Sequence, residues 1–396
     1  MQLAQRLNLI VEPQTIKMAK LSRELRAKGI NIIDLSLGEP DFRTPQFICD
    51  AATAAMNAGY TKYPPVTGFL ELRQAVCTKL KRDNGLDYEP GNVIISTGAK
   101  QSLANAILSI IDPGDEVLIP TPYWVTYSAL VQLAEGKPKY INCSIDTDFK
   151  LTAEILEKNI SQHTKLFIYS SPCNPSGSVY SRSELESLAE VFKRYPDCVI
   201  ISDEIYEYIN YSGKHESISQ FPELKDRVVI VNGMSKGFAM TGWRLGYMVG
   251  PKDLVQACEK LQSQFTSGAN SITQRASITA LLGNLSATYA MRDSFRERRD
   301  FVIGELQRMP GVKTNVPQGA FYAFPNISAF FGRKYEDIVI DNDEDFAMYL
   351  MHHANVATVS GSAFGNSNCI RISFATSKEL LKEAMERISD ALKKLV

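Results

Sequence analysis

The chain has 396 residues, 44% of them hydrophobic, 22% charged and 9% aromatic, ordinary proportions for a globular protein with enough material for two cores. Its 43 basic and 44 acidic side chains leave a formal charge of −1, which offers no general electrostatic footprint for nucleic acid or an anionic membrane. The longest apolar runs fall far short of the roughly 20 residues that span a bilayer, and the opening MQLAQRLNLIVEPQ lacks the basic start, apolar stretch and small-residue cleavage site of a secretion signal.

A cytoplasmic protein is therefore expected. Seven cysteines are scattered without a CxxC pair, so neither a disulfide framework nor a structural zinc site is expected. Four histidines give metal catalysis little to build on, and no metal site is assigned.

In chain order, a helix is expected around Gln14 to Lys28. Val93-Ile94-Ile95 then leads into a helix after Gly98, and Val117-Leu118-Ile119 into one from about Tyr123. Leu166-Phe167-Ile168-Tyr169 precedes a helix starting near Ser181. Val199-Ile200-Ile201 and Val228 to Val231 follow. Strands apolar on both faces and separated by helices predict an α/β fold with a largely parallel sheet covered on both sides. Right-handed crossovers place the strands' carboxyl ends on one edge, where ligands of open α/β sheets bind. Beyond about residue 285 the texture changes. A charged helix around Arg292 to Asp300 is followed by short strands at Gly319 to Phe324, Asn355 to Val359 and Cys369 to Phe374, then a helix from about Ser377. This predicts a second, α+β domain, with the N-terminal helix packed on it.

The residues that carry chemistry sit at the carboxyl ends of the apolar strands. Ser170 to Gly177 (SSPCNPSG) closes one; Asp203-Glu204-Ile205-Tyr206 closes another; Asn232 to Arg244 (NGMSKGFAMTGWR) closes a third. Alone, Lys236 reads as a solvated lysine, Asp203 as a turn residue, Asn174-Pro175 as a turn and Arg244 as a surface ion pair. Together they read differently. A partly desolvated lysine is a nucleophile for a carbonyl, a nearby carboxylate can hold a protonated heterocyclic nitrogen, and an arginine can clamp a phosphate.

In this order the residues resemble a fold-type I pyridoxal 5′-phosphate enzyme, specifically a class I aminotransferase of the prokaryotic aspartate branch, some members of which accept prephenate. The resemblance covers essentially the whole chain. It rests on Ser36 to Phe42 (SLGEPDF), Thr61-Lys62-Tyr63, Thr97 to Gln101, Pro122-Tyr123-Trp124, Ser171 to Gly177, Ser202 to Tyr206, Ser235 to Tyr247, Pro317 to Tyr322 and Arg371 to Ala375. It implies a large cofactor-binding domain over 46–285 with a mostly parallel seven-stranded sheet, and a small domain from 1–45 and 286–396.

Carried over by position, Lys236 would form the cofactor aldimine and shuttle the substrate's proton, and Asp203 would pair with the pyridine nitrogen. Tyr206 and Asn174 would bind the 3′ oxygen and Trp124 would stack on the ring. Gly98, Ala99 and Lys100 would present a helix N-terminus to the phosphate, with Ser235 and Arg244 beside it. Tyr63 would reach the phosphate of a partner subunit, which implies a homodimer with shared sites. Arg371 and the Gly38 backbone would hold the α-carboxylate, and Lys100 and Thr15 a distal one. The implied activity is ping-pong transamination between L-aspartate, or another amino acid, and 2-oxoglutarate. The alternatives are prephenate, aromatic or alanine donors, or β-elimination on the same scaffold. A nicotinamide enzyme is disfavoured by the lack of any GxGxxG, and a regulator by the intact lysine and arginine set. Three departures stand out. Gly233 occupies a position where the family often has a phosphate-binding serine, Gln14 one where serine is common, and Arg43 one that is usually acidic or an amide.

Overall fold

The structure, a computed structural model, describes residues 4–10 and 13–396. Seven strands form the large sheet: β1 (Val93–Ser96), β2 (Glu116–Thr121), β3 (Lys137–Asn142), β4 (Thr164–Ser170), β5 (Val199–Asp203), β6 (Val228–Gly233) and β7 (Gly246–Val249). Their order across the sheet is β1-β7-β6-β5-β4-β2-β3. All but β7 run parallel; β7 lies antiparallel between β1 and β6.

Period-2 alternation explains why these runs are apolar throughout. Ile95, Leu118, Phe167, Ile200 and Ile230 enter the core on one face. Their neighbours Ile94, Val117, Leu166, Ile201 and Val229 enter the core on the other. Helices cover both faces, so no strand position in the sheet's centre can be polar without a partner.

The helices begin where short polar residues or glycine stop the preceding strand. Gly98, at φ +83°, precedes Ala99–Ile110. Ser181 and Glu184 form a reciprocal capping box for Arg182–Phe192, and Ser377 caps Lys378–Leu392. The helix expected from about Tyr123 begins at Thr126 instead. Tyr123 donates its backbone N–H to Phe364 O at 3.0 Å, so this stretch is pinned to a distant loop rather than wound into the helix.

A second core gathers Ile33, Leu35, Phe295, Phe321, Tyr349, Ile372, Leu381 and Ile388. Its sheet is antiparallel, with Ile370–Ser373 between Val359–Ser360 and Tyr322–Ala323. Ile33–Asp34 pairs in parallel with Val356–Ala357, and Ser373 donates its N–H to Leu35 O at 2.8 Å. Met18, Leu25 and Ile32 pack on Met351 and Ala357, which joins the helix Gln14–Ala27 to the same body. Among the described residues, no helix is long and apolar enough to cross a membrane.

Candidate active site

A cavity of about 290 Å³ opens where the carboxyl edge of the large sheet meets the second core. Ala99, Lys100, Trp124, Asn174, Asp203, Tyr206, Ser235, Lys236 and Arg244 line it from the sheet side. Thr15, Gly38 and Arg371 line it from the other. Strand register accounts for the first wall: Ser170 ends β4 opposite Asp203, and Asp203 ends β5 opposite Val231.

Lys236 is half-buried, open to the cavity and enclosed elsewhere. Its ammonium donates to Gly38 O at 2.5 Å. Desolvation lowers its pKa to about 8; Glu39 and Asp203 oppose that shift while Arg371 and Arg244 add to it. Asp203 is moved the other way. It is 3% exposed, and burial raises its pKa to about 6 despite a 2.6 Å hydrogen bond from the Tyr127 hydroxyl and one of 3.2 Å from Ile205 N. An amine and a carboxylate with pKa values drawn toward neutrality therefore share one cavity, a pattern that marks functional sites.

The helix Ala99–Ile110 points its N-terminus at the cavity. No side chain caps it and no acidic residue stands in its first turn, so the leading N–H groups and the dipole are available to an anion. Gly98 is required by its backbone: a φ of +83° disfavours any L side chain, whereas the Arg244 Nη2 that a Cβ would meet at 2.6 Å is the movable end of a long side chain. Gly98→Ala is expected to destabilise the fold by about 1–3 kcal/mol through this strain, measurable as a lower midpoint in thermal unfolding. Gly233 has a different explanation. A Cβ there would sit 2.8 Å from Gly246 Cα, where β6 and β7 pair, so no serine fits. Ser235, which lines the cavity, supplies a hydroxyl nearby.

Arg371 is 2% exposed and lies on the strand Ile370–Ser373. Its guanidinium donates to Ser36 O at 2.6 Å and to Asn174 Oδ1 at 3.0 Å. It stacks 4.5 Å from the Tyr322 ring and 4.8 Å from Phe364. Its Nε is buried without a partner, and among the described residues no carboxylate forms an ion pair with it. A buried cation without a counter-ion is costly. The cavity is thus preset for an anionic ligand at this end.

Lys100 stands at the rim with its ammonium 4.9 Å over the Trp124 ring. Loss of water there, and secondarily the charge of Arg244, lowers its pKa. Tyr63 is the expected site residue that lies apart. It is 95% exposed, in a separate groove with Tyr60, Pro64 and Ser271.

Sequence reasoning missed Tyr127, Ser170, Ile205, Thr241 and Tyr322, all of which line the cavity. Tyr127 follows Trp124 by three positions, and Tyr322 ends a motif already singled out. Neither spacing reveals that Tyr127 would reach Asp203, or that the Tyr206 and Tyr322 hydroxyls would lie 2.8 Å apart.

Comparison with known proteins identifies the family of the chain. Residues 30–388 match the family described as aminotransferase class I and II. The chain is 45% identical over 396 residues to an aspartate/prephenate aminotransferase of Nitrosomonas europaea, covering 99% of this chain and 100% of that protein. It is 46% identical to a bifunctional aspartate aminotransferase and glutamate/aspartate-prephenate aminotransferase of Petunia hybrida, covering 98% and 82%. The crystal structure of an aspartate aminotransferase from Rhizobium meliloti superposes with a TM-score of 0.97 at 43% identity, with all of both chains covered. The chain belongs to the class I and II aminotransferases, on the branch that includes the aspartate/prephenate enzymes.

Proposed function

We propose that the protein catalyses pyridoxal 5′-phosphate-dependent transamination between L-aspartate, or a related amino acid, and 2-oxoglutarate in a ping-pong cycle. The observation that carries this reading is the convergence on one cavity of Lys236, Asp203 and Arg371, the last without a carboxylate partner among the described residues. The donor set fits the cofactor. The uncapped helix start at Ala99 and Lys100, with Arg244 and Ser235, suits a phosphate, and buried Asp203 suits a ring nitrogen that must stay protonated. When bound, pyridoxal phosphate supplies an aldehyde for the amine and a ring that takes up electrons from the substrate carbon.

The chain's own residues do the rest. Lys236, with a pKa of about 8, offers an uncharged amine to a carbonyl near neutral pH and later moves the proton from the substrate's α-carbon. Tyr206 directs its hydroxyl into the cavity wall beside Tyr322. Asn174 commits its Oδ1 to Arg371, so its amide N–H groups serve the ligand side. Trp124 provides an aromatic face. Arg371 binds the carboxylate common to amino acids and 2-oxo acids, and Gly38 contributes backbone.

Lys100 and Thr15 share the cavity rim, and the cation suits a second, distal carboxylate. Lys100→Ala is expected to lower kcat/KM for aspartate and glutamate about 10- to 100-fold more than for alanine or phenylalanine, the loss of one charged contact. Equal losses would assign Lys100 to the phosphate or to the fold. An assay that follows oxaloacetate against pyruvate and ammonia separates transamination from β-elimination.

Two organisational readings accompany this proposal. The separate cores support a large domain over 46–285 and a small one from 1–45 and 286–396. The exposure of Tyr63 supports a homodimer in which it serves the partner's site.

A further inference from the structure

Behind the cavity lies a buried polar cluster to which neither the sequence motifs nor the proposed chemistry assigns a role. The turn after β5 alternates its side chains. Asp203 and Tyr206 line the cavity, whereas Glu204 and Glu207 enter the interior, 0% and 5% exposed. Glu204 accepts hydrogen bonds from Ser202 at 2.9 Å and Ser217 at 2.6 Å, and faces His215 Nε2 at 3.0 Å. Glu207 reaches further.

One oxygen of Glu207 accepts from the ammonium of Lys79, which is fully buried, and from Asn84 Nδ2 at 3.2 Å. The other accepts from Asn232 Nδ2 at 2.6 Å. Lys79 also donates to Asn84 Oδ1 at 2.8 Å. Lys79 ends the helix Leu70–Lys79, and Asn84 ends the π-helical turn Leu80–Asn84 that follows it. Asn232 lies near the end of β6, four residues before Lys236, and its Oδ1 accepts the N–H of Gly233 at 2.7 Å. A single carboxylate therefore ties together the turn that carries Asp203 and Tyr206, the strand end that carries Lys236, and a helix outside the site.

Removing water from so many polar groups is costly unless each is satisfied. An apolar joint could hold the strands equally well, because β5 and β6 already pair. What the carboxylate adds is direction: it fixes the β6 exit relative to the β5 exit beyond the last ladder hydrogen bond.

We propose that Glu207 is a positioning residue for transamination, a buried carboxylate that sets Lys236 relative to Asp203 through its bond to Asn232. This rests on the function proposed above. Glu207 does not line the cavity and acts through the two segments it joins.

A donor–acceptor swap tests the idea. In Glu207→Gln, satisfying Lys79 turns the amide toward Asn232, donor against donor, and Asn232 cannot flip without releasing Gly233 N–H. In Asn232→Asp, two carboxylates face each other. In the double variant the glutamine amide donates to the aspartate, its oxygen still accepts from Lys79 and the aspartate still accepts the Gly233 N–H, so every bond is restored and only the one between 207 and 232 is reversed. Each single variant is expected to lose about 10- to 100-fold in kcat with KM changed by less than about threefold, the signature of misplacement by a fraction of an ångström. The double variant is expected to recover to within about fivefold of wild type, a coupling that a non-interacting pair would not show. The pKa of Lys236 in the cofactor-free protein, read by pH-dependent chemical labelling and mass spectrometry, should move in the singles and return in the double.

Singles with unchanged kcat and unchanged Lys236 pKa would overturn the proposal. So would a double variant that regains the wild-type melting temperature but not kcat. If the singles do not fold, the double alone decides by the same criterion. If the wild type fails to transaminate, the proposed function falls, while the labelling measurement still tests the positioning role.

Discussion

Lys236→Ala is expected to reduce transamination about 10⁴-fold or more, the upper range for a positioned acid–base group, with the additional loss of covalent attachment. Borohydride reduction followed by peptide mass analysis checks the second part. The wild-type peptide spanning residue 236 should carry the mass of the cofactor, and the variant peptide should not. The physical cause is the position of this amine. Desolvation brings its pKa to about 8, so roughly a tenth of it is uncharged at pH 7 and half at pH 8, against less than 0.1% for a lysine in water. The rate of labelling of Lys236 in the cofactor-free protein should therefore rise across pH 7 to 9. A midpoint near 10.5 would show an amine in open water and remove the basis of the mechanism.

Asp203→Asn is expected to lower kcat/KM about 10²- to 10³-fold, the cost of removing one preorganised charge from a dry site, while stabilising the cofactor-free protein at neutral pH. The sign follows from linkage. Asp203 has a folded pKa near 6, above its unfolded value of about 3.9. The folded form therefore holds its proton more tightly, and this favourable contribution is complete below pH 4. It is lost as pH rises through 6, by up to about 3 kcal/mol for a two-unit shift. Asparagine carries no such loss. The gain in thermal midpoint over wild type should be largest near pH 7 and vanish toward pH 4. A variant less stable than wild type at pH 7 would mean that Asp203 is paid for by contacts an amide cannot replace.

Much of this arrangement is legible from the chain alone, and the exceptions have physical reasons. Runs such as Val93-Ile94-Ile95 declare themselves because both faces of a covered sheet need apolar side chains. β3, KPKYIN, does not: it is an edge strand whose one buried residue is Ile141, so it carries almost no hydrophobic signal. β7 is hidden because its four residues follow directly on Trp243-Arg244-Leu245, a segment noticed for its chemistry. The site residues that sequence found are those whose type implies their work, such as Lys236 and Arg371. Those it missed act through packing. Tyr127 matters because, from the second residue of its helix, its hydroxyl reaches Asp203. Nothing about a lone tyrosine foretells that. Glu204 stands within the Ser202 to Tyr206 motif and Glu207 directly after it, yet their opposite direction from Asp203 and Tyr206 depends on a turn geometry visible only in three dimensions.

The union of early and late segments in the second core carries a consequence for synthesis. Arg371 reaches its conformation by donating to Ser36 O, a partner 335 positions earlier, and Ile33–Asp34 remains without its strand partner until Val356–Ala357 has been made. On the ribosome, the nascent chain can thus complete the wall that carries Lys236 and Asp203 before the pocket around Arg371 exists.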